Sequence, residues 1–351
     1  MGDAPAPTAA PGAPSADGWN PLILVVLLLA AFSVAPYVRA FLSPPPGRAF
    51  VGFFWFDDDA YNYLSFAQQA EAGAVLFHNK LVLEDHPPVL FNLEWWMVGV
   101  LSRLLGGPPL AAYRVFGVFA LVALVLGIDH WLVRGGLPVA HRLPALLLVT
   151  TGAGLGGIRF LLGVPVERCL DLTTGFFPIL EVLANPHFVA GTALLLWALR
   201  AHAGAGARSF VAAAALGTAL GLTRPYDLAV LAAIRTAVVM ATEPPRAWWR
   251  HAAAMAALLP VVAYNYWVFY RQPAFAFYTR AEYVFPSRTD LAWALGPAAL
   301  LAAVAVLARP GLSAGSVAGA WRGSAAGVAR LHLAAWCAIA VAVFAVRPVH
   351  F

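Results

Sequence analysis

Three consecutive carboxylates, Asp57-Asp58-Asp59, follow the aromatic run Phe53-Phe-Trp-Phe56 and precede Ala60-Tyr61-Asn-Tyr63. A carboxylate held at a surface can take the proton of a hydroxyl nucleophile, the general-base half of a group transfer. The competing reading is a capped helix whose positive end favours acids. Capping needs one acid rather than three, so the base reading is preferred. A second constellation, Glu84-Asp85-His86-Pro87-Pro88, places acids and an imidazole before paired prolines. Those prolines fix the backbone and present the preceding side chains at a helix start, or simply turn the loop into that helix. In Gly221-Leu-Thr-Arg224-Pro225-Tyr-Asp227 an arginine interrupts an apolar hairpin. It needs water, an acid or a ligand anion there. Asp227 could supply the acid, so ligand contact and structural pairing stand equal. His187 follows Asn185-Pro186 at an expected helix start, as a hydrogen-bonded structural residue or a ligand contact. Lys80 and Arg280 complete the cationic candidates.

The elements that must position these residues are apolar. Of 351 residues 61% are hydrophobic and 11% charged, with a mean hydropathy of +0.75. Soluble domains carry about 25% charge, so the expected class is an all-α, polytopic integral membrane protein. The formal charge of +5 comes from scattered arginines, which excludes a nucleic-acid footprint and fits the positive-inside rule. Lys80 is the one lysine among 22 basic residues, a bias that suggests a GC-rich bacterial genome. Cys169 and Cys337 have neither metal nor redox spacing. An acid cluster with a histidine has the ligand types for a divalent cation, but its spacing is not diagnostic of a metal or cofactor.

Residues 1–18 are Ala/Pro-rich and are expected to form a disordered cytoplasmic tail. Residues 19–351 then form one transmembrane domain. Pro21 to Phe41 is long enough to span the membrane, and Ser43-Pro-Pro-Pro46 ends it. An extracytoplasmic loop over 42–109 follows. In it Asp59–Ala72 predicts a surface helix with Tyr63, Phe66 and Ala70 near one face. Pro88–Leu105 carries Asn92, Glu94 and Arg103, so it is read as interfacial. Further spans are expected near 110–132, 143–162, 187–199, 210–222, 226–241, 252–269, 291–307 and 331–346, about nine in all. Asn185 with Pro186 predicts a capped helix start. The inward connections hold Arg134, Arg142, Arg200, Arg208, Arg246, Arg250, Arg309, Arg322 and Arg330 against Glu243. Most other acids fall on the opposite side. Arg39 and Arg48 run against this bias, which still faces the acidic loop outward.

The order of these motifs resembles the GT-C superfamily of membrane glycosyltransferases, in particular its Rgt-like, aminoarabinose-transferase-like and protein O-mannosyltransferase-like members. An acidic pair and a Tyr-containing surface helix follow the first span at Asp58-Asp59-Ala60-Tyr61. Asp85-His86-Pro87-Pro88 is close to the His-Pro-Pro of the O-mannosyltransferases, and Leu222-Thr223-Arg224 matches a Leu-Thr-basic turn. The resemblance covers roughly residues 21–244. It implies Asp58 as catalytic base with Asp59 beside it, and Asp85 and His86 at acceptor and donor-phosphate contacts. Two departures stand out: His rather than Lys precedes the Pro pair, and Asn185-Pro186-His187 is not a shared signature. Related enzymes continue with more spans, so a chain ending at Arg347-Pro-Val-His-Phe351 is expected to be truncated.

The expected function is transfer of a hexosyl or pentosyl group from a polyprenyl-phosphate donor to an envelope lipid, glycan or protein acceptor. The resemblance implies inversion at the anomeric carbon. The expected place is the outer face of the inner membrane, with His86, Arg224, Lys80 or Arg280 near the departing phosphate and His187 as a further substrate-binding candidate. The alternatives are a transporter or lipid flippase, disfavoured because no internal repeat is visible, and a non-catalytic scaffold of the same architecture.

Overall fold

The computed structural model describes residues 21–54, 57–173, 178–204, 206–276, 287–307 and 325–345, and the side chains of Asp57 and Asp58 are outside that description. Every regular element among these residues is helical. The helices are α1 (Pro21–Leu42), α2 (Asp57–Glu71), α3 (Leu93–Leu105), α4 (Pro109–Arg134), α5 (Val139–Thr151), α6 (Gly156–Leu161), α7 (Leu170–Thr173) and α8 (Pro178–Ala184). They continue with α9 (Pro186–His202), α10 (Ala207–Thr223), α11 (Asp227–Thr242), α12 (Trp248–Ala256), α13 (Leu259–Tyr266), α14 (Pro273–Ala276), α15 (Arg288–Leu307) and α16 (Ala325–Ala345).

Two packed regions frame the site, and a small third cluster joins Leu170 of α7 to Ala294 of α15. In the first, α2 and α3 lie parallel and side by side. Tyr63 stacks on Trp95 at 4.4 Å, and Ser102 Oγ donates to Glu71 Oε1 at 2.9 Å. Arg103 donates to the Glu71 and Ala70 carbonyls, giving a cation to the negative end of α2. Phe66, Ala67 and Ala70 are buried, so α2 presents the face that its sequence pattern predicts. Asn92 caps α3 by accepting from the Glu94 and Trp95 N–H groups. At the other end Gly106, at φ 62°, closes it; L side chains resist that backbone region.

The second region is a bundle built on α4 and α9. These run parallel: Tyr113 meets Asn185 near their starts, and Trp131 meets the Leu196 carbonyl near their ends. α10 returns antiparallel, bringing Arg224 beside Phe188. α11 goes back again, and α13 ends beside α10, where Asn265 donates to the Gly221 carbonyl. α1 ends at the same level, with Tyr37 Oη donating to the Leu183 carbonyl at 2.8 Å. One end of the bundle therefore gathers the starts of α4, α9 and α11 and the ends of α1, α10 and α13. Many large apolar side chains face outward, among them Leu27, Leu28 and Phe32 of α1.

Leu22–Leu42 and Pro109–Arg134 are long and apolar enough to cross a membrane. The pair Pro245–Ala256 and Leu259–Arg271, bent by 43°, would make a third span if it acts as one. Among the described residues, length and composition alone thus support two to three of the nine expected spans. The single span expected over 143–162 is instead α5, a break at Gly152–Leu155 and the short α6. The Gly152 N–H still bonds the Leu148 carbonyl before the chain turns extended. α9 and α11 form as expected but have only 17 and 16 residues, about 25 Å each.

Gly99 sets the spacing of α2 and α3. A Cβ there would lie 2.4 Å from Ala70 Cβ and 2.5 Å from the Ala67 carbonyl oxygen, and that backbone cannot step aside. Gly99→Ala should destabilise the fold by about 1–3 kcal/mol, read as a lower unfolding midpoint in detergent. An unchanged midpoint would disprove this close packing.

Candidate functional site

The junction between the surface layer and the bundle is polar although its walls are apolar. Glu94, at the start of α3, is 1% exposed. Its Oε2 accepts from His187 Nδ1 at 2.6 Å, tying α3 to the start of α9. Its second oxygen, Oε1, is buried without a hydrogen-bond partner among the described residues. The imidazole lies against Tyr63 and Trp95, with ring centroids 5.3 and 5.5 Å away. Below it the Asn185 side chain accepts from the His187 N–H and from Tyr113 Oη. With Nδ1 given to the carboxylate, Nε2 is the nitrogen left for a ligand.

The α10–α11 turn borders this pair. Arg224 Nε donates to Tyr226 Oη at 2.9 Å and lies 3.2 Å from Asp227 Oδ2. Its Nη1 donates to the Phe188 carbonyl, and its guanidinium sits over the Phe188 and Tyr226 rings. Structural pairing with Asp227 thus exists, and it leaves part of the planar donor fork for another acceptor. Gly191 makes room for this side chain, since a Cβ there would fall 2.0 Å from Arg224 Cδ. Asn92 Nδ2 donates to the Thr223 carbonyl, fastening α3 to the same turn.

Asp59 is exposed on the first turn of α2, four residues before Tyr63 and on its face. Burial holds the Tyr63 phenol well above its ordinary pKa, and the charges of Asp59 and Glu94 add to that shift. Asp59, Tyr63, Glu94, His187, Arg224 and Asp227 therefore converge. Asp58 belongs to the same first turn by backbone, while its carboxylate lies outside the described side chains. Arg280 also lies outside the described residues.

Asp85, His86 and Lys80 are placed differently. They line an open cleft in the hairpin that joins α2 to α3. His86 Nε2 accepts from the Asn79 N–H at 2.9 Å, and Nδ1 lies 2.9 Å from the Glu84 carbonyl. Both ring nitrogens are thus occupied within the hairpin. His86 lies 5.5 Å from His78, which Gln69 brackets with two hydrogen bonds. Gln69 stands ten residues past Asp59, roughly 15 Å along α2. Asp85 and Lys80 are exposed. Among the described residues no group of three or more His, Cys, Asp or Glu is placed to hold a metal ion.

Sequence reasoning used Glu94 only to argue against a span and gave Tyr63, Tyr113 and Glu181 no role in chemistry. The available signal was a carboxylate inside an otherwise apolar run. No family model, curated protein or solved structure matches the chain.

Glu181 on α8 faces the same junction. Burial raises its pKa from 4.5 to about 8; Arg224 opposes this and Asp227 adds to it. The unfolded chain loses that proton near pH 4.5 and the folded chain near pH 8. Between these values the folded state holds the extra proton, so stability falls as pH rises. The unfolding midpoint should decline across this window in the wild type, and this part of the decline should vanish in Glu181→Gln. An identical pH profile in the variant would exclude Glu181 as its source.

Proposed function

We propose that the chain is a membrane glycosyltransferase, moving a hexosyl or pentosyl group from a polyprenyl-phosphate donor to an envelope lipid, glycan or protein acceptor. The supporting observation is the buried Glu94–His187 pair beside Arg224, beneath the helix whose first turn carries Asp58 and Asp59. General base and phosphate ligands are thereby offered at one end of a helical bundle. The order of the first long apolar helix, the paired surface helices and the second long apolar helix also agrees with the GT-C resemblance.

In this scheme Asp58, assisted by Asp59, takes the proton of the acceptor hydroxyl. The freed oxygen attacks the anomeric carbon from the face opposite the phosphate, and the C–O bond to phosphate breaks with inversion. The polyprenyl phosphate departs with the bonding electron pair. Glu94 holds the His187 ring through Nδ1 so that Nε2 faces the leaving phosphate, and Arg224 supplies a cation. Stabilisation of charge on the leaving group is the larger catalytic contribution. Asp85 in the hairpin cleft keeps the acceptor contact that the resemblance implies, while Lys80 and His86, expected at the departing phosphate, take no step in this scheme. No divalent ion enters the scheme.

The proposed setting is a bacterial inner membrane, with nine spans and the acidic end of the bundle facing outward. α9, α10 and α11 are short for a ~30 Å core, and tilting of neighbours or local thinning accommodates that mismatch. Outward-facing apolar side chains on α1 fit a lipid contact.

Proteoliposomes supplied with radiolabelled polyprenyl-phosphate hexose or pentose test the chemistry. Asp58→Asn should lower transfer by about 10²–10⁴-fold with the protein still in the membrane, and Asp57→Asn should be milder. More than about a tenth of wild-type transfer in Asp58→Asn would remove it as the base.

Topology has a separate test in a background lacking Cys169 and Cys337. Leu83, 99% exposed, and Ala140 lie at opposite ends of the bundle in this scheme. Leu83→Cys should react with an impermeant maleimide in intact cells, Ala140→Cys only after lysis. Equal labelling at both positions refutes the proposed sidedness.

A further inference from the structure

The other end of the bundle holds a buried cation that the transfer scheme does not use. Arg235, eight residues into α11, is 4% exposed. It stands roughly 10 Å before the end of that helix. Its Nη1 bonds His332 Nε2 of α16, and His332 Nδ1 lies 2.8 Å from the Val328 carbonyl. His332 thus faces the guanidinium as a neutral acceptor, which satisfies one N–H without supplying counter-charge. No carboxylate lies within ion-pair distance of Arg235 among the described residues. Glu243 is the acid that reaches it electrostatically.

Three buried polar atoms near this arginine have no hydrogen-bond partner among the described residues: Arg235 Nε, His202 Nε2 of α9 and His251 Nδ1 of α12. His251 is fixed through its other nitrogen, which lies 3.0 Å from Thr236 Oγ1. Arg134 adds a cation within range of His332. The acids that the described residues offer at this end are Asp129 and Glu243, and the sequence has no Asp or Glu after Asp290. An arginine kept in an apolar interior calls for a partner. A buried guanidinium with an open Nε–H, beside two histidine ring nitrogens that are also open and with no carboxylate in ion-pair distance among the described residues, offers donors to an oxyanion.

We propose that Arg235, His202 and His251 form a binding site for a phosphate group, seated between α9, α11, α12 and α16. Arginine donors match the oxygens of a phosphate, and each charge-assisted bond is stronger than a neutral one. The phosphate could belong to an anionic lipid headgroup or be free in solution. Basic pockets between membrane helices take such headgroups. α12 opens with the exposed Trp248-Trp249-Arg250 run, an aromatic and basic edge suited to a bilayer surface. The site is independent of the glycosyl-transfer reading, since it lies at the opposite end from Glu94 and His187.

The test uses the full chain in detergent, with thermal unfolding and native mass spectrometry as readouts. The probes are dioleoylphosphatidylglycerol, dioleoylphosphatidylcholine, and inorganic phosphate against chloride of matched ionic strength. Phosphatidylglycerol should raise the unfolding midpoint and be retained in near one-to-one ratio, while phosphatidylcholine should do so weakly. Protection by phosphatidylglycerol alone assigns the site to a lipid headgroup; protection by inorganic phosphate as well assigns it to a free anion. Arg235→Gln should weaken the apparent affinity about tenfold, a loss of about 1.4 kcal/mol. Arg250→Gln, which removes an exposed charge nearby, should not. Should Arg235→Gln fail to accumulate, Arg235→Lys and His202→Leu replace it. An undiminished response in those variants, or no protection of the wild type beyond the chloride control, overturns the proposal.

Discussion

A carboxylate and an imidazole joined between apolar walls hold the surface layer of this protein to its bundle. Glu94 and His187 are both nearly inaccessible and 2.6 Å apart. Removing one partner leaves the other's polar atom buried and unsatisfied, which costs about 1–3 kcal/mol. The pair therefore specifies how the surface layer docks on the bundle. The Asn92 cap and the Asn185 cap act in the same sense. Each satisfies a helix start and also reaches another element, Thr223 in one case and Tyr113 in the other. Helix termini, where backbone N–H groups lack internal acceptors, are thus the points where the layers are joined.

The same junction gathers polar groups because of how α2 and α3 run. Parallel packing places both helix starts together, and the close approach at Gly99 keeps them there. Asp59 and Tyr63 from one helix then meet Glu94 and Trp95 from the other. The connection between them must return along the full length of α2, which carries the 78–87 hairpin to the far end of the layer. Two motifs only 27 residues apart at Asp59 and His86 are separated for this reason.

Charge is distributed unequally between the two ends of the bundle. One end pairs its arginine: Arg224 has Asp227 beside it, with Glu181 in range. The other end has Arg235 near three histidines and, among the described residues, no carboxylate within ion-pair distance. An end with its own counter-ions can be a closed polar network. At the other end Glu243 acts on Arg235 only at a distance, and this difference motivates separate roles for the two.

Local chemistry was legible in the sequence. The helical character, the amphipathic α2, the cap at Asn185-Pro186 and the break at Arg224-Pro225 all follow from periodicity, capping and proline, which act over a few residues. Glu94 was visible as a misplaced carboxylate, but its partner lies 93 positions away, and no local rule names it. Arg235 is silent for the same reason: one arginine in an apolar helix does not declare which histidines will surround it. The expected span over 143–162 fails because hydropathy averages across Gly152 and Gly154, where the backbone leaves the helix. His86 looked like a free cation beside acids, whereas the hairpin uses both of its ring nitrogens. Residue types and spacings determined the inventory of charges and the helices that carry them. Tertiary packing alone decided which charges meet, because that depends on the direction in which neighbouring helices run.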